Sequence, residues 1–303
     1  MIIQLTIPFC FRRCSYCAQP FCKYDMTTIA AYAKAVLAEI EASSKDFSGR
    51  EVTAVSIEGG CPGLMSPSDL KDIIRTIRRS FRLSERAQIS LQTMPGDYSR
   101  ALMQGLLDTG VNHWIFGVGT TERAEHELLE RPYKYDALTM ADMAIKTFSP
   151  RDLSFDLLYG IPEQTERSFS TSLNRVLAYQ PDHLTLIPLR IENGTRLQQK
   201  MLAGILAEVS NEQYRKLYLM AKEKLEGLGY TAYDEAPLST AFSLPDKENR
   251  FRLGQLHGED QLGIGYGARS ILEGFTYTNG HSLGEYLAHP DQPEVLANGL
   301  RSL

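Results

Sequence analysis

The 303-residue sequence is short of several things, and each absence narrows its possible roles. No run of about 18 apolar residues occurs, so no membrane-spanning helix is expected. The opening Met1-Ile-Ile-Gln-Leu-Thr-Ile7 is apolar, but it is too short for a secretion signal and has no charged leader. There is no basic tail. The net charge is -5, and the short cluster Arg75 to Arg79 reads as a solvated helix face. Neither nucleic acid nor membrane is therefore an expected partner. The six histidines, at 113, 126, 183, 257, 281 and 289, show no His-x-x-x-His or comparable metal spacing and read as structural or surface residues. No internal repeat or low-complexity segment is present. Cysteine is scarce, with five in all, and absent beyond residue 61. A disulfide framework spreads cysteines through a fold, whereas a metal site gathers them. The expected compartment is the cytoplasm, where thiols stay reduced.

What is there is enough apolar material, 43% of residues, for a large core. Residues 2–7, 52–57, 87–92, 112–118, 152–157 and 183–187 read as strands. Helices are expected over 27–42, capped by Thr27 or Thr28, from Ser66-Pro67 to Arg79, and over 97–108. More follow over 122–130, 135–147, 165–178 and a largely helical 197–227. Strands alternating with helices imply a parallel sheet. The expected fold is α/β: an open (β/α)6 partial TIM barrel over residues 1–228, with a short C-terminal extension over 229–303 packed on it. The site should then lie at the C-terminal ends of the strands.

Cys10-Phe-Arg-Arg-Cys14-Ser-Tyr-Cys17 follows the first strand. Its C-x3-C-x2-C spacing sets three thiolates on one tight loop, the ligand type of iron–sulfur clusters. Three ligands leave one iron of a four-iron cluster open to the amino and carboxylate groups of a methionine moiety. A zinc site recruiting Cys22 is the rival reading, although four-cysteine zinc sites usually pair two knuckles across a longer insert.

Ile7-Pro-Phe-Cys10 with this loop resembles the opening of radical S-adenosylmethionine (SAM) proteins. More narrowly, it resembles the oxygen-independent coproporphyrinogen III dehydrogenase and haem chaperone family. The resemblance runs from residue 3 to about 286. It implies a [4Fe-4S] cluster on Cys10, Cys14 and Cys17, with Cys22 not a ligand, and places Phe9 and Tyr16 beside the cofactors. It also implies reductive cleavage of SAM to a 5′-deoxyadenosyl radical, and an electron donor such as flavodoxin or ferredoxin. Gly59-Gly60-Cys61-Pro62 is similar to the family's Gly-Gly-Gly-Thr-Pro segment that receives the SAM amino group. Gln92 stands where a glutamate is usual, so Gln92→Glu is expected to tighten SAM binding. Leu128-Leu-Glu-Arg131-Pro-Tyr133 resembles Leu-Leu-Gly-Arg-x-His, which implies that Arg131 meets the SAM carboxylate. Asp156-Leu-Leu-Tyr-Gly-Ile-Pro162 implies a ribose contact from Asp156, and Ile187 would pack on adenine. Gly119 replaces a glutamine, Tyr133 a histidine, and Arg269, within Asp260 to Ser270, another histidine.

The dehydrogenase reaction would be oxidative decarboxylation of a porphyrinogen or related small molecule. Arg12, Arg13 and Arg190 are the candidates for meeting a tetracarboxylate. The family's further helical C-terminal domain has no expected counterpart here. These departures keep two alternatives open, a haem carrier and a radical SAM methyltransferase.

Overall fold

The computed structural model describes residues 1–47, 49–93, 104–105, 108–132, 152–236, 239–280, 282–291 and 295–298. Strand β1 (Ile2–Ile7) is buried at all but one position. That near-continuous burial suits a parallel strand covered on both faces. It leads through β2 (Phe9–Cys10) and the cysteine loop to β3 (Cys22–Lys23), which pairs with β2. Helix α1 (Met26–Phe47) follows. Its cap is Asp25, not Thr27 or Thr28: Oδ2 accepts from Thr28 N at 2.7 Å and from the Thr28 hydroxyl at 2.6 Å. The threonine hydroxyl is spent as a donor to the stronger acceptor one turn earlier.

β4 (Glu51–Gly59) is followed by α2 (Pro67–Ser80), where Ser66 accepts from Asp69 N at 3.1 Å and Pro67 needs no donor partner, as expected. β5 (Arg82–Thr93) starts five residues earlier than the reading of 87–92, because its first positions are polar and largely exposed. β6 (His113–Gly119), α3 (Arg123–Leu128), β7 (Leu153–Tyr159), α4 (Glu166–Leu177) and β8 (His183–Pro188) continue the alternation. The helices expected over 97–108 and 135–147 lie wholly or largely outside the described residues, as does Tyr133. The stretch 197–227 is two helices, α5 (Arg196–Leu202) and α6 (Asn211–Gly227), because Ser210 caps a new start by accepting from Gln213 N at 3.1 Å.

β1, β4, β5, β6, β7 and β8 lie side by side, parallel and in chain order. Beyond residue 228 come β9 (Thr231–Ala236), β10 (Ser239–Ser243), α7 (Arg250–Leu256), β11 (Gln261–Ile264), β12 (Arg269–Leu272), β13 (Phe275–Asn279), α8 (Leu283–Ala288) and β14 (Val295–Asn298). They extend the same sheet at both flanks. β10 and β9 add antiparallel beyond β8, and β11 adds parallel to β1 with β12, β13 and β14 outside it. The resulting order, β14 at one edge and β9 at the other, does not close. The fold is thus an α/β partial barrel. Fully buried Ile3, Leu5, Val36, Ile40, Ile73 and Phe116 belong to its main core, each contributing about 1.5–3 kcal/mol by leaving water. No helix of the described residues is long and apolar enough to cross a membrane.

Candidate active site

The C-terminal ends of the parallel strands come together at one end of the barrel, and the cysteine loop crosses there. Its base is pinned by Cys22 N donating to Pro8 O at 2.8 Å and Tyr24 N to Cys10 O at 2.9 Å. Its far side rests on the segment after α3. Ser15 N donates to Leu129 O at 2.9 Å, Ser15 Oγ to Leu128 O at 3.2 Å, and Arg12 Nη2 to Arg131 O at 3.0 Å. Leu197 N at the start of α5 donates to Ser15 O at 2.8 Å. Nearly every tie is to backbone, so the loop's shape is fixed while Cys10, Cys14 and Cys17 stay free thiols, none of them fully buried.

Arg131 is 4% exposed. Its Nη1 donates to the Tyr16 hydroxyl at 3.0 Å and its Nη2 to Gly117 O at 2.6 Å. The guanidinium therefore bolts the loop to the end of β6. Gly119 makes this possible: its φ is +69°, and a Cβ there would stand 2.7 Å from Arg131 Nη1. A side chain at 119 and a guanidinium in this pose exclude one another. Burial raises the Tyr16 phenol to about 12, against the pull of Arg131, so it stays protonated.

Gly60 follows the second parallel strand and lies directly against the loop. A Cβ there would lie 2.9 Å from Cys10 Sγ and 2.6 Å from Phe9 O. Cys61, fully buried, donates its N–H to Phe9 O at 2.8 Å. Burial, then the neighbouring thiols of Cys61, Cys14 and Cys17, push the Cys10 thiol up to about 12, against the charge of Arg13. Burial likewise raises Cys14. Cys22 is not among the groups acting on Cys10. It packs against the core at the base of the loop, opposite Phe9, while Cys61 is the further thiol that acts on Cys10. Among the described residues, no group of three or more His, Cys, Asp or Glu converges as ligands of a single ion. The donor set fits an iron–sulfur cluster: three half-buried thiols crowded on one loop, which become thiolates when iron displaces their protons.

Inside the barrel, next to this loop, lies a cavity of about 410 Å3. Gln92, Asp156 and Ile187 all line it, together with Glu58, Thr185 and His183. Gln92 Nε2 donates to Asp156 Oδ2 at 3.3 Å. Burial raises the Asp156 pKa, Glu58 adds to the rise, and Thr185, Gln92 and Arg252 oppose it. Glu58 lies just beyond the strand read over 52–57, at the start of the segment that breaks it, and has no role in that reading; the observed strand runs on through it to Gly59. The available signal was an acidic residue closing a buried strand immediately before Gly59-Gly60. Of the expected tetracarboxylate-binding arginines, Arg12 is bonded to the Arg131 carbonyl and Arg13 stacks over Phe21 with 5.1 Å to the ring centroid. Arg190 lines a separate cavity of about 460 Å3 with Tyr159, Met201 and Tyr214.

An open (β/α)6 barrel with a three-thiol loop over its strand ends defines a class of iron–sulfur proteins that hold SAM at the cluster. A profile of the Radical SAM superfamily matches residues 5–176, and the chain belongs to that superfamily. The superfamily's cofactors, a [4Fe-4S] cluster and SAM, are accordingly those of this chain. A protein of Lactococcus lactis named as a heme chaperone is 26% identical across 95% of this chain and 74% of its own length. An oxygen-independent coproporphyrinogen III oxidase of Pseudomonas aeruginosa is 25% identical across 97% of this chain and 66% of its own. The zebrafish (Danio rerio) mitochondrial radical SAM domain-containing protein 1 is 25% identical, and the chain spans 58% of its length. Among solved structures, the coproporphyrinogen III oxidase of Escherichia coli superposes with a TM-score of 0.81 at 22% identity, over all of this chain and 72% of that one. That likeness establishes the shared fold.

Proposed function

We propose that the chain is a radical SAM enzyme in which Cys10, Cys14 and Cys17 hold the cluster. SAM lies over Gly59, Gly60, Gln92, Asp156 and Ile187, with Phe9 and Tyr16 walling the loop. Bound together, the two cofactors supply one-electron cleavage of the sulfonium C–S bond and hydrogen abstraction from a substrate. The chain's own residues bind, orient and enclose. Gly60 gives SAM a bare backbone edge beside Cys10. Gln92 and Asp156 offer polar contacts from neighbouring strand ends. Arg131, already engaged with Tyr16 and Gly117, serves by holding the loop in place. The observation that carries the reading is the abutment of Gly60 on Cys10 Sγ, beside a cavity lined by Gln92 and Asp156.

For the reaction, the oxidase relatives support oxidation of a porphyrinogen-like small molecule. The cavity lined by Tyr159, Arg190 and Tyr214 also carries Glu208, so what it offers such a molecule is aromatic faces rather than a surplus of positive charge. The electron donor in this reading is a small flavodoxin- or ferredoxin-type protein. The relatives named heme chaperones favour haem carriage as the second reading. Anaerobically reconstituted protein, given SAM and dithionite, separates these. 5′-Deoxyadenosine from wild type but not from Cys14→Ala supports the enzyme, and loss of coproporphyrinogen III would name the substrate. Intact SAM with stoichiometric haem binding supports the carrier. S-adenosylhomocysteine would indicate methyl transfer.

A further inference from the structure

The segment that carries the thiols also carries charge that nothing inside the chain offsets. Residues 10–26 hold three cations, Arg12, Arg13 and Lys23, against one carboxylate, Asp25, in a chain with 37 acidic and 32 basic residues. All three cations are exposed. Among the described residues, none of them enters an ion pair. Their other ties leave the charge in place: Arg12 donates to the Arg131 carbonyl at 3.0 Å, and Arg13 lies over the Phe21 ring at 5.1 Å. Asp25 is spent on capping α1. Glu130, on the segment that supports the loop, is shared by Arg196 at 2.8 Å and Lys200 at 2.6 Å, and Arg196 also donates to the Arg13 carbonyl. A basic island therefore surrounds the loop on a chain that is acidic overall, and like charges so gathered repel one another.

The same segment exposes apolar surface. Phe11 is 47% exposed and Met26 73% exposed. The Phe11 ring lies tilted against Tyr24, centroids 5.1 Å apart, and Tyr24 packs on the main core. Phe11 is thus held at the surface on a fixed support. Aromatic side chains, methionine and arginine are the residue types that protein–protein interfaces enrich. The position is as informative as the composition. β2 and β3 pair in parallel with Cys10 opposite Lys23, so an exposed cation stands one ladder step from a thiol of the loop. A protein seated on Lys23 and Phe11 lies beside the thiols without entering the barrel.

We propose that the ribbon of β2 and β3, with Phe11 and Met26 at its edge and Arg12, Arg13 and Lys23 around it, is the docking surface for an acidic electron-carrier protein. The carrier's carboxylates meet the cations, and Phe11 and Met26 supply the apolar centre of the contact. The patch is small, which suits such a partner, because electron-transfer encounters bury less than about 1,200 Å2 in total and dissociate readily. In each encounter one electron leaves the reduced carrier, a flavin or iron–sulfur protein of low potential, and passes to the cluster; no atom is transferred. The destination of that electron rests on the radical SAM reading, whereas the docking surface does not. An anionic lipid surface would also meet cations and exposed apolar side chains, but the placing of Lys23 beside a thiol residue favours a redox partner.

The test is calorimetric titration of the anaerobically reconstituted chain with an acidic flavodoxin and, in turn, an acidic [2Fe–2S] ferredoxin, at low and high salt. Alongside it, 5′-deoxyadenosine formation is driven by the same proteins in reduced form or by reduced methyl viologen, a small carrier that needs no docking surface. Wild type is compared with Lys23→Glu, Phe11→Ser and a control, Arg78→Glu, at the other end of the barrel where α2 runs into β5. At least one carrier should bind wild type and Arg78→Glu alike, and salt should weaken that binding. Lys23→Glu and Phe11→Ser should each weaken it about 10-fold or more. The carrier-driven rate should fall in step, while the methyl viologen rate holds; where a variant loses that rate too, the affinity alone decides. Binding of neither carrier, equal affinity in all four proteins, or an equal loss in Arg78→Glu overturns the surface. Phosphatidylglycerol vesicles are titrated in parallel. Binding to them that Lys23→Glu abolishes, with none to either carrier, assigns the ribbon to a lipid surface and overturns the proposal. A wild type that binds a carrier at this ribbon but forms no 5′-deoxyadenosine with any reductant contradicts the radical SAM reading and leaves the docking surface standing.

Discussion

Individual side chains explain how this site departs from its family's pattern. Gly119 and Arg131 form one unit, because the space a side chain would fill at 119 is taken by the guanidinium that holds Tyr16. Gln92 belongs with Asp156 in the same way, since its amide is a donor to that carboxylate. A glutamate at 92 would exchange this donor for a like charge beside Asp156, and near Glu58 on the adjoining strand. Gln92→Glu should therefore raise the Asp156 pKa further and weaken SAM, by about 1–3 kcal/mol for the lost partner, rather than tighten it. Calorimetric titration of cluster-loaded wild type and variant checks this, and a tighter variant would mean that Asp156 does not face the bound cation. In the sequence, Arg131 and Gln92 are legible as motif positions. Their partners are not, because Tyr16 lies 115 residues from Arg131 and Asp156 lies 64 from Gln92.

Buried polar ties between elements hold the frame around the site. Glu39, in the middle of α1, is 2% exposed and reaches the strands at the far end of the sequence. It accepts from Gly265 N at 2.8 Å, Asn279 Nδ2 at 2.5 Å and the Tyr286 hydroxyl at 2.6 Å. Asp46 and Asp291 line the same cavity of about 290 Å3. Burial raises the Glu39 carboxyl to about 7, against the pull of its three donors. The folded state then binds a proton that the unfolded chain, with an ordinary carboxyl, releases near 4.5. Glu39 thus contributes stability that is fully present below about pH 4.5 and is lost as pH rises through about 7. The contribution is at most about 3 kcal/mol. Melting temperatures of wild type should fall between pH 5 and 7.5, and Glu39→Gln, whatever its absolute stability, should flatten that slope. Parallel slopes would mean that Glu39 stays charged throughout. The sequence shows Glu39 only as one polar residue in an alanine-rich helix. Its three donors come from three separate segments, beyond the reach of any local pattern.

At the scale of the whole molecule, the six parallel strands and the helices described between them were legible, because each buried strand and amphipathic helix carries its own period. The six strands after residue 228 were less so: four to six residues each, they announce short strands and loops but not that they join both flanks of one sheet. The cysteine loop was legible from spacing alone. Its fourth neighbouring thiol was not, because Cys61 reaches Cys10 only when the second parallel strand lies beside the first. The account as a whole rests on three of the five cysteines acting as cluster ligands. Iron and sulfide analysis, with electron paramagnetic resonance of the reduced protein before and after SAM, tests that directly in wild type and in Cys14→Ala, Cys22→Ala and Cys61→Ala. The account predicts about four irons per chain and a SAM-dependent change of signal in wild type, Cys22→Ala and Cys61→Ala, with no cluster in Cys14→Ala. A cluster retained in Cys14→Ala, or lost as completely in Cys22→Ala, would contradict it.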